Sequence, residues 1–201
     1  MKLKNKSERQ NVFATGTALG EWCLNDGTDI EIEVGSSWGQ VLLQLAEHNP
    51  HVRYAGIEIQ KERHLSAVQR AKRSRLHNVT FVHGDAAEVL EEEILNGRIS
   101  TFHIYFPSPV YNDRHGQQRE LINKKFASSL YVALKSGGRV RLLTDLSEYY
   151  DRILEAFGSC RFWSFKCNPL GLDLPNGFIA GSPLEYKYRP VSRIYSLNLV
   201  K

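Results

Sequence analysis

Apolar runs and amphipathic stretches alternate regularly along the chain from residue 29 onwards. Short runs rich in Val, Ile and Phe, such as "DIEIEVG" and "VTFVHGD", are typical of buried strands. Stretches with apolar residues three or four positions apart, such as "QVLLQLAEH", are typical of helices that pack on a sheet. The predicted strands lie at 29–35, 52–59, 79–85, 100–106 and 139–145, and the predicted helices at 40–48, 60–76, 86–95, 120–134 and 147–157.

Five consecutive strand–helix repeats predict an α/β fold, in which helices cover both faces of a mostly parallel sheet. The end of the chain differs, because "CRFWSFKC" and "SRIYSLNLV" are predicted strands without a helix between them. They predict an antiparallel edge at the C-terminal side of the sheet. The "SGG" after residue 135 is predicted to end the preceding helix. We expect residues 1–28 to form an N-terminal arm or short helix and residues 29–201 to form one domain.

Composition narrows the class of protein further. The 201 residues are 42% hydrophobic and 24% charged, which is typical of a soluble globular chain. The net charge of +4 permits an anionic partner. The sequence has no apolar run of membrane-spanning length, and "MKLKNKSERQ" lacks the apolar core of a signal peptide, so we expect a cytoplasmic location. Three cysteines without C-x-x-C spacing argue against a disulfide framework and a zinc site.

Acidic and small residues follow the predicted parallel strands, where ligands bind in such sheets. In chain order these residues are Glu33, Gly35, Glu58, Asp85, Ser108, Thr144 and Asp145. A carboxylate after the second strand can accept from both hydroxyls of a ribose, and one after the third can accept from an adenine amine. The pattern predicts a cofactor that contains adenosine. The turn "GSSWGQ" lacks the G-x-G-x-x-G of pyrophosphate-binding loops, which favours S-adenosylmethionine over a nicotinamide or flavin.

Several stretches together resemble the successive motifs of the tRNA (guanine-N7)-methyltransferases. They are "EIEVGSSWG", "YAGIEI", "GDAAEVL", "IYFPSPV", "LKSGGRVRLLTD" and "SPLEYKYR", and the resemblance covers about residues 30–200. It implies a Rossmann-like class I fold with a seven-stranded sheet and S-adenosylmethionine as the methyl donor. It implies cofactor contacts from Glu33, Gly35, Ser36, Glu58, Ile59, Asp85 and Ala86. It implies a substrate side built from Ser108, Asp145, Ser182 and Glu185.

The chain departs from the family in the loop after the fourth strand. The family motif is F-P-D-P-W-P-K-K-R-H, whereas this chain has "FPSPVYNDRH". Ser108 replaces the Asp, so the expected catalytic pair is Ser108 and Asp145. Tyr111 is expected to stack on the acceptor, and Arg114 and His115 to contact it. Because most of the phosphate-binding cations are missing, we expect a small guanine-like heterocycle as the acceptor rather than tRNA.

Other functions fit parts of the same sequence. A tRNA substrate remains open, because the basic helix at 60–76 could supply a cationic surface. "SPVY" also resembles the [N/D/S]-P-P-[Y/F/W] box of amino-methyltransferases, and a non-catalytic nucleotide- or RNA-binding protein would keep the same fold. A ring nitrogen such as purine N7 attacks with an in-plane lone pair, so positioning matters more than a general base. We expect a monomer or homodimer with no metal and no membrane partner.

Overall fold

The structure is a computed structural model that describes residues 16–23, 27–113, 115–158, 164–168 and 194–201. The helices are α1 (Gly16–Cys23), α2 (Gln40–His48), α3 (Lys61–Ser74), α4 (Ala86–Val89), α5 (Lys124–Ala133) and α6 (Ser147–Gly158), with a 3₁₀ turn at Glu93–Leu95. The strands are β1 (Ile30–Val34), β2 (Arg53–Glu58), β3 (Val79–His83), β4 (Ile99–Tyr105), β5 (Tyr111–Asn112), β6 (Gln118–Arg119), β7 (Leu134–Thr144), β8 (Ser164–Asn168) and β9 (Tyr195–Val200).

In the described part of the chain, seven strands form the central sheet in the order β3-β2-β1-β4-β7-β9-β8. Strands β3, β2, β1, β4 and β7 are parallel, and β9 runs antiparallel to both β7 and β8. The predicted α/β fold with an antiparallel C-terminal edge is therefore confirmed. The strand order reverses between β1 and β4, which makes the carboxyl ends of these strands the place where such folds bind ligands.

Apolar side chains pack on both faces of the sheet. Ile32, Phe102 and Val140 belong to one buried cluster, which also contains apolar side chains of α1, α5 and α6. Tyr54 and Phe81 belong to a second cluster with the apolar sides of α2 and α3. Burial on both faces explains why β4 is buried along its whole length, including the polar residues Ser100, Thr101 and His103.

Two predicted helices differ from the observed ones. The helix predicted at 86–95 ends at Val89 and continues only as a 3₁₀ turn. Helix α5 begins at Lys124, after Asn123, whose side-chain oxygen accepts a hydrogen bond from the N–H of Phe126 at 3.0 Å. It ends at Ala133, and the "SGG" lies inside β7, so the prediction that this triplet ends the helix was wrong. Gly137 has a φ of 74°, in a part of β7 where the register with β4 shifts.

The N-terminal helix α1 packs on the domain. Leu19 and Cys23 are buried in the first apolar cluster, and burial raises the pKa of the Cys23 thiol to about 12. Residues 1–15 lie outside the described ranges, so the boundary at residue 28 stays a prediction. Among the described helices, none is long and apolar enough to cross a bilayer.

Candidate active site

Two adjoining cavities open at the carboxyl ends of the parallel strands. The first, which we call the sheet cavity, has a volume of about 190 Å³ and is lined by residues that include Gly35, Glu58, Ile59, Asp85, Ala86, Tyr105, Phe106, Ser108 and Tyr111. The second, the loop cavity, has a volume of about 840 Å³ and is lined by residues that include Asp85, Glu88, Ser108, Val110, Tyr111, Asn112 and Asp113. Asp85, Ser108 and Tyr111 line both cavities, so the residues after β3 and β4 stand where the two meet.

The loop after β1 turns sharply at the edge of the sheet cavity. Gly35 has a φ of 76°, a conformation that favours glycine, and no atom of the described residues lies within 4 Å of the place a Cβ would occupy. The N–H groups of Gly35 and Ser36 both donate to the carbonyl of Ile57, at 2.9 and 3.0 Å. Ser37 also has a positive φ, 52°, which directs its N–H towards β2. The loop therefore leaves open space above β1.

Glu58 anchors two segments of backbone at the end of β2. Its Oε2 accepts from the N–H of Ser37 and its Oε1 from the N–H of Gln60, both at 2.8 Å. The residue is 4% exposed, yet it lines the sheet cavity. Each carboxylate oxygen can accept a second hydrogen bond, so Glu58 retains acceptor capacity for a ligand with two hydroxyls.

Glu33 is buried beside this loop without a complete set of partners. It is 4% exposed, and its Oε2 has no hydrogen-bond partner among the described residues. Burial, and then the nearby charge of Glu58, raise its pKa well above the usual range. The Oγ of Ser36 is likewise buried without a partner. Buried polar atoms without a partner are uncommon. Neither Glu33 nor Ser36 is among the described residues that line the two cavities.

Asp85 caps helix α4 and holds the loop after β4. Its Oδ1 accepts from the N–H of Ala87 at 2.9 Å. The hydroxyl of Tyr111 donates to Oδ1 and Oδ2 at 3.1 and 3.0 Å. Sequence reasoning assigned Asp85 to the cofactor and Tyr111 to the acceptor, and the structure brings the two into direct contact. Burial, and then Asp85, raise the pKa of Tyr111, so the phenol stays protonated and donates.

The segment after Tyr111 forms a small hairpin that the sequence did not predict. Strands β5 and β6 pair antiparallel, and Asp113 lies between them. Its Oδ1 accepts from the N–H groups of His115 and Gln117, and its Oδ2 accepts from Nε of Arg119 at 2.7 Å. The bond from Arg119 is the largest cause that lowers the pKa of Asp113. The sequence signal for this turn was Asp113 followed three residues later by Gly116, which has a φ of 75°.

The backbone is strained where β4 leads into the loop. Phe106 has a φ of 51°, which is uncommon for a residue with a side chain, and its N–H donates to the carbonyl of Leu143 at 2.8 Å. Such strain costs about 1–3 kcal/mol and is concentrated at functional sites. The residues that follow Phe106, Pro107 and Ser108, line the sheet cavity.

Several predicted residues lie elsewhere. Asp145 follows the end of β7 and is half-buried, but it is absent from the described residues that line either cavity. His115 lies in the hairpin, and its N–H contacts Asp113 rather than a cavity. Arg114, Ser182 and Glu185 lie outside the described residues. The roles assigned to all of these residues stay predictions.

Sequence reasoning missed a buried hydrogen-bonded chain behind the sheet cavity. Tyr105 lines the cavity, and its hydroxyl lies 2.7 Å from Nδ1 of His103. The Nε2 of His103 lies 2.7 Å from Oε2 of Glu31, and His103 is fully buried. Glu31 lies on β1, and His103 and Tyr105 lie at alternate positions of the adjacent parallel strand β4. Side chains at alternate positions of a strand lie on the same face of the sheet, so the sequence indicated that His103 and Tyr105 share a face.

The rim of the sheet cavity also carries a cation over an aromatic ring. Arg63, near the start of α3, lines the cavity, and its guanidinium lies 4.9 Å from the ring centre of Trp38. Trp38 is 45% exposed, in the loop after β1. The pair forms an exposed aromatic and cationic edge that could contact a base.

The geometry fits an adenosine-containing cofactor. Glu58 has free acceptor capacity for a ribose, Asp85 presents a carboxylate on the next strand, and Gly35 leaves room between them. No group of three or more His, Cys, Asp or Glu side chains that could hold a metal ion occurs in the described part of the chain.

Comparison with known proteins identifies relatives of this fold and this sequence. The chain matches the family model described as "Putative methyltransferase" over residues 28–168. It is 32% identical to a tRNA (guanine-N(7)-)-methyltransferase of Shewanella oneidensis over 127 residues, which are 63% of this chain and 53% of the relative. A relative of the same description from Shewanella baltica is 33% identical, again over 63% of this chain and 53% of its own length. The match thus spans about half the length of these relatives.

Solved structures show the same fold at low sequence identity. The antibiotic-resistance methyltransferase Kmr has a TM-score of 0.64 and 16% identity, over 94% of this chain and 93% of its own. Phosphoethanolamine N-methyltransferase 2 of Haemonchus contortus, in complex with S-adenosyl-L-methionine, has a TM-score of 0.53 and 14% identity, over 92% of this chain and 51% of its own. The family match, the curated relatives and the motifs agree: the chain belongs to the methyltransferase family of the tRNA (guanine-N7)-methyltransferases.

Proposed function

We propose that this chain is an S-adenosylmethionine-dependent methyltransferase that acts on N7 of a guanine in tRNA. The observation that carries the proposal is the sheet cavity, in which Glu58, Asp85 and Ser108 meet at the strand-order reversal. The curated relatives are named for this reaction, and that favours tRNA over the small heterocycle expected from the altered loop.

The cofactor would be held by the carboxylates on neighbouring strand ends. Glu58 would accept from the ribose hydroxyls, because each of its oxygens has a lone pair left after binding the backbone. Asp85 would accept from the adenine amine. Glu33 would complete its hydrogen bonding with the cationic methionine end. S-adenosylmethionine supplies an electrophilic methyl group when it is bound.

The acceptor side needs orientation more than proton transfer. N7 of guanine carries no proton, so a nearby group need only hold the ring in line with the methyl donor. Ser108 lines both cavities and can hydrogen-bond to the ring edge. Asp145 is not among the described lining residues, so its proposed contact with the N–H groups of guanine rests on its position at the end of β7. Tyr111 offers a ring at the boundary between the cavities, although its hydroxyl is bound to Asp85.

A methyl-transfer assay with labelled cofactor tests the proposal. The protein is incubated with S-adenosylmethionine labelled in the methyl group and with bulk tRNA, and separately with guanine-like heterocycles. We expect label in tRNA, released as 7-methylguanine after hydrolysis. Ser108→Ala should lower the rate by about tenfold, the effect of one neutral hydrogen bond, without changing cofactor affinity. Label in a heterocycle but not in tRNA would establish the small-molecule reaction instead. Bound cofactor without any transfer would identify a non-catalytic protein.

A further inference from the structure

The positive charge of the chain is concentrated on one segment. Residues 48–77 carry seven Lys or Arg side chains and two Glu, a net charge of +5, whereas the whole chain carries +4. One of the two Glu is Glu58, which is buried in the candidate site. The segment contains all of α3, so this helix carries much of the excess.

The cations of α3 lie on its solvent side. The buried side of the helix consists of His64, Ala67, Val68 and Ala71. Arg70 is half-buried, and Lys72, Arg73 and Arg75 are exposed. Arg75 is the residue that directly follows α3, and we call these last four residues together the α3 basic face. They cover the end of the helix that points away from the sheet cavity.

Several cations on other elements are paired, whereas among the described residues those of this face are not. Lys124, Lys125, Lys135, Arg119 and Arg152 each form an ion pair with a carboxylate. Within the described ranges, no ion pair involves a side chain of α3. A cation near a helix C-terminus can complement the helix dipole, but one or two suffice for that. Four neighbouring cations without an acidic partner repel one another and are suited to a polyanion.

The basic face continues in two directions. Beyond Arg75 it meets a depression of about 620 Å³ whose lining includes His51, Arg53 and His77 together with one acidic residue, Glu47. Towards the site, α3 carries Lys61 and Arg63, the latter over the exposed ring of Trp38. The 14 residues of α3 span about 21 Å, a length over which a duplex nucleic acid presents on the order of ten phosphate charges.

The loop after β4 cannot supply this charge from the residues that are described. Arg119 donates to Asp113 at 2.7 Å, so its charge is balanced within the hairpin. Asn112 and Asp113 stand where the related motif has lysines. A nucleic acid substrate therefore needs cations elsewhere, and α3 is the helix that connects unpaired cations to the rim of the sheet cavity.

We propose that the α3 basic face binds the phosphate backbone of the RNA substrate, a role that rests on the proposed action on tRNA. The cations along α3 hold the phosphates of a helical arm of the RNA. The Trp38–Arg63 edge then receives unpaired bases near the sheet cavity. Binding at this face supplies affinity and orientation, while the sheet cavity selects the base that is methylated.

A salt titration of RNA binding tests the face. Bulk tRNA is bound to the native protein and to the triple variant Lys72→Gln, Arg73→Gln and Arg75→Gln. The matched control is Lys124→Gln with Lys125→Gln, because these exposed lysines lie on α5 and are paired. We expect the triple variant to bind at least about tenfold more weakly at 0.1 M salt and to lose roughly 2–3 from the slope of log affinity against log salt. The control should match the native protein.

A charge-preserving variant and two further readouts separate the possible outcomes. Lys72→Arg with Arg73→Lys and Arg75→Lys should bind tRNA as the native protein does. A native affinity and slope in the glutamine variant would overturn the proposal, even if methylation of tRNA is observed. Loss of cofactor binding in that variant would also overturn it, since the effect would then be on folding. Equal affinity for duplex DNA or an acidic protein would overturn RNA as the partner. Salt-dependent binding through α3 without methylation would refute the proposed function alone.

Discussion

Replacement of Glu58 by Gln tests the centre of the candidate site. The carboxylate accepts from the N–H groups of Ser37 and Gln60 at 2.8 Å through different oxygens. Gln has only one acceptor oxygen, so its amide group must face one of the two N–H groups. That N–H belongs to half-buried Ser37 or to exposed Gln60, so the loss of its partner costs about 1 kcal/mol of folding free energy.

The same substitution should weaken binding of the cofactor. One charged hydrogen bond to a ribose hydroxyl is lost, which is about 1.5–3 kcal/mol, or roughly a 10- to 150-fold rise in the dissociation constant. Isothermal titration calorimetry with S-adenosylmethionine measures the change. Thermal melts with and without the cofactor check that the fold is retained, because a bound ligand raises the melting temperature only of the native protein.

A matched control distinguishes the site from a general effect of charge. Glu62 is an exposed glutamate in the first turn of α3, so Glu62→Gln removes the same charge four residues away. We expect this variant to bind the cofactor as the native protein does. If Glu58→Gln stays folded and binds S-adenosylmethionine with unchanged affinity, Glu58 does not contact the ribose and the reasoning from the strand ends is wrong.

Three further variants test other parts of the site. The pKa of Glu33 is raised in the folded state, so its stabilising contribution falls as the pH rises above the pKa of the unfolded chain, about 4.3. Glu33→Gln should therefore melt at a higher temperature than the native protein at pH 7 and at the same temperature at pH 4. Arg119 lowers the pKa of Asp113, so the contribution of Asp113 to stability is present above about pH 4 and is lost in acid. Asp113→Asn should abolish this pH dependence of stability, and amide exchange in the hairpin should become faster. Asp145→Asn should reduce turnover at least tenfold with little change in cofactor affinity; a parallel fall in both would move Asp145 to the cofactor side.

Much of the fold could be predicted from the sequence, because the patterns that indicate strands and helices lie within short stretches of the chain. Alternating apolar runs and amphipathic stretches identified five parallel strands and their helices, and the missing helix between the last two strands indicated the antiparallel edge. The order of Glu58 and Asp85 along the chain was enough to expect them at successive strand ends. Parallel strands direct their carboxyl ends to one edge of the sheet, so the sequence predicts that edge, while the strand order that makes β2 and β3 neighbours came from the structure.

The sequence by itself could not determine how side chains meet across the fold. The bond from Tyr111 to Asp85 joins positions 26 residues apart, and the contact between His103 and Glu31 joins positions 72 apart. Alternation along one strand can indicate which side chains share a face, but the partner of each contact depends on which strands become neighbours and on how the loops turn. For the same reason, sequence alone predicted that the loop after β4 contacts a small acceptor and did not predict a hairpin there. The tertiary structure instead shows a hairpin built on Asp113 and attached to the site through Tyr111.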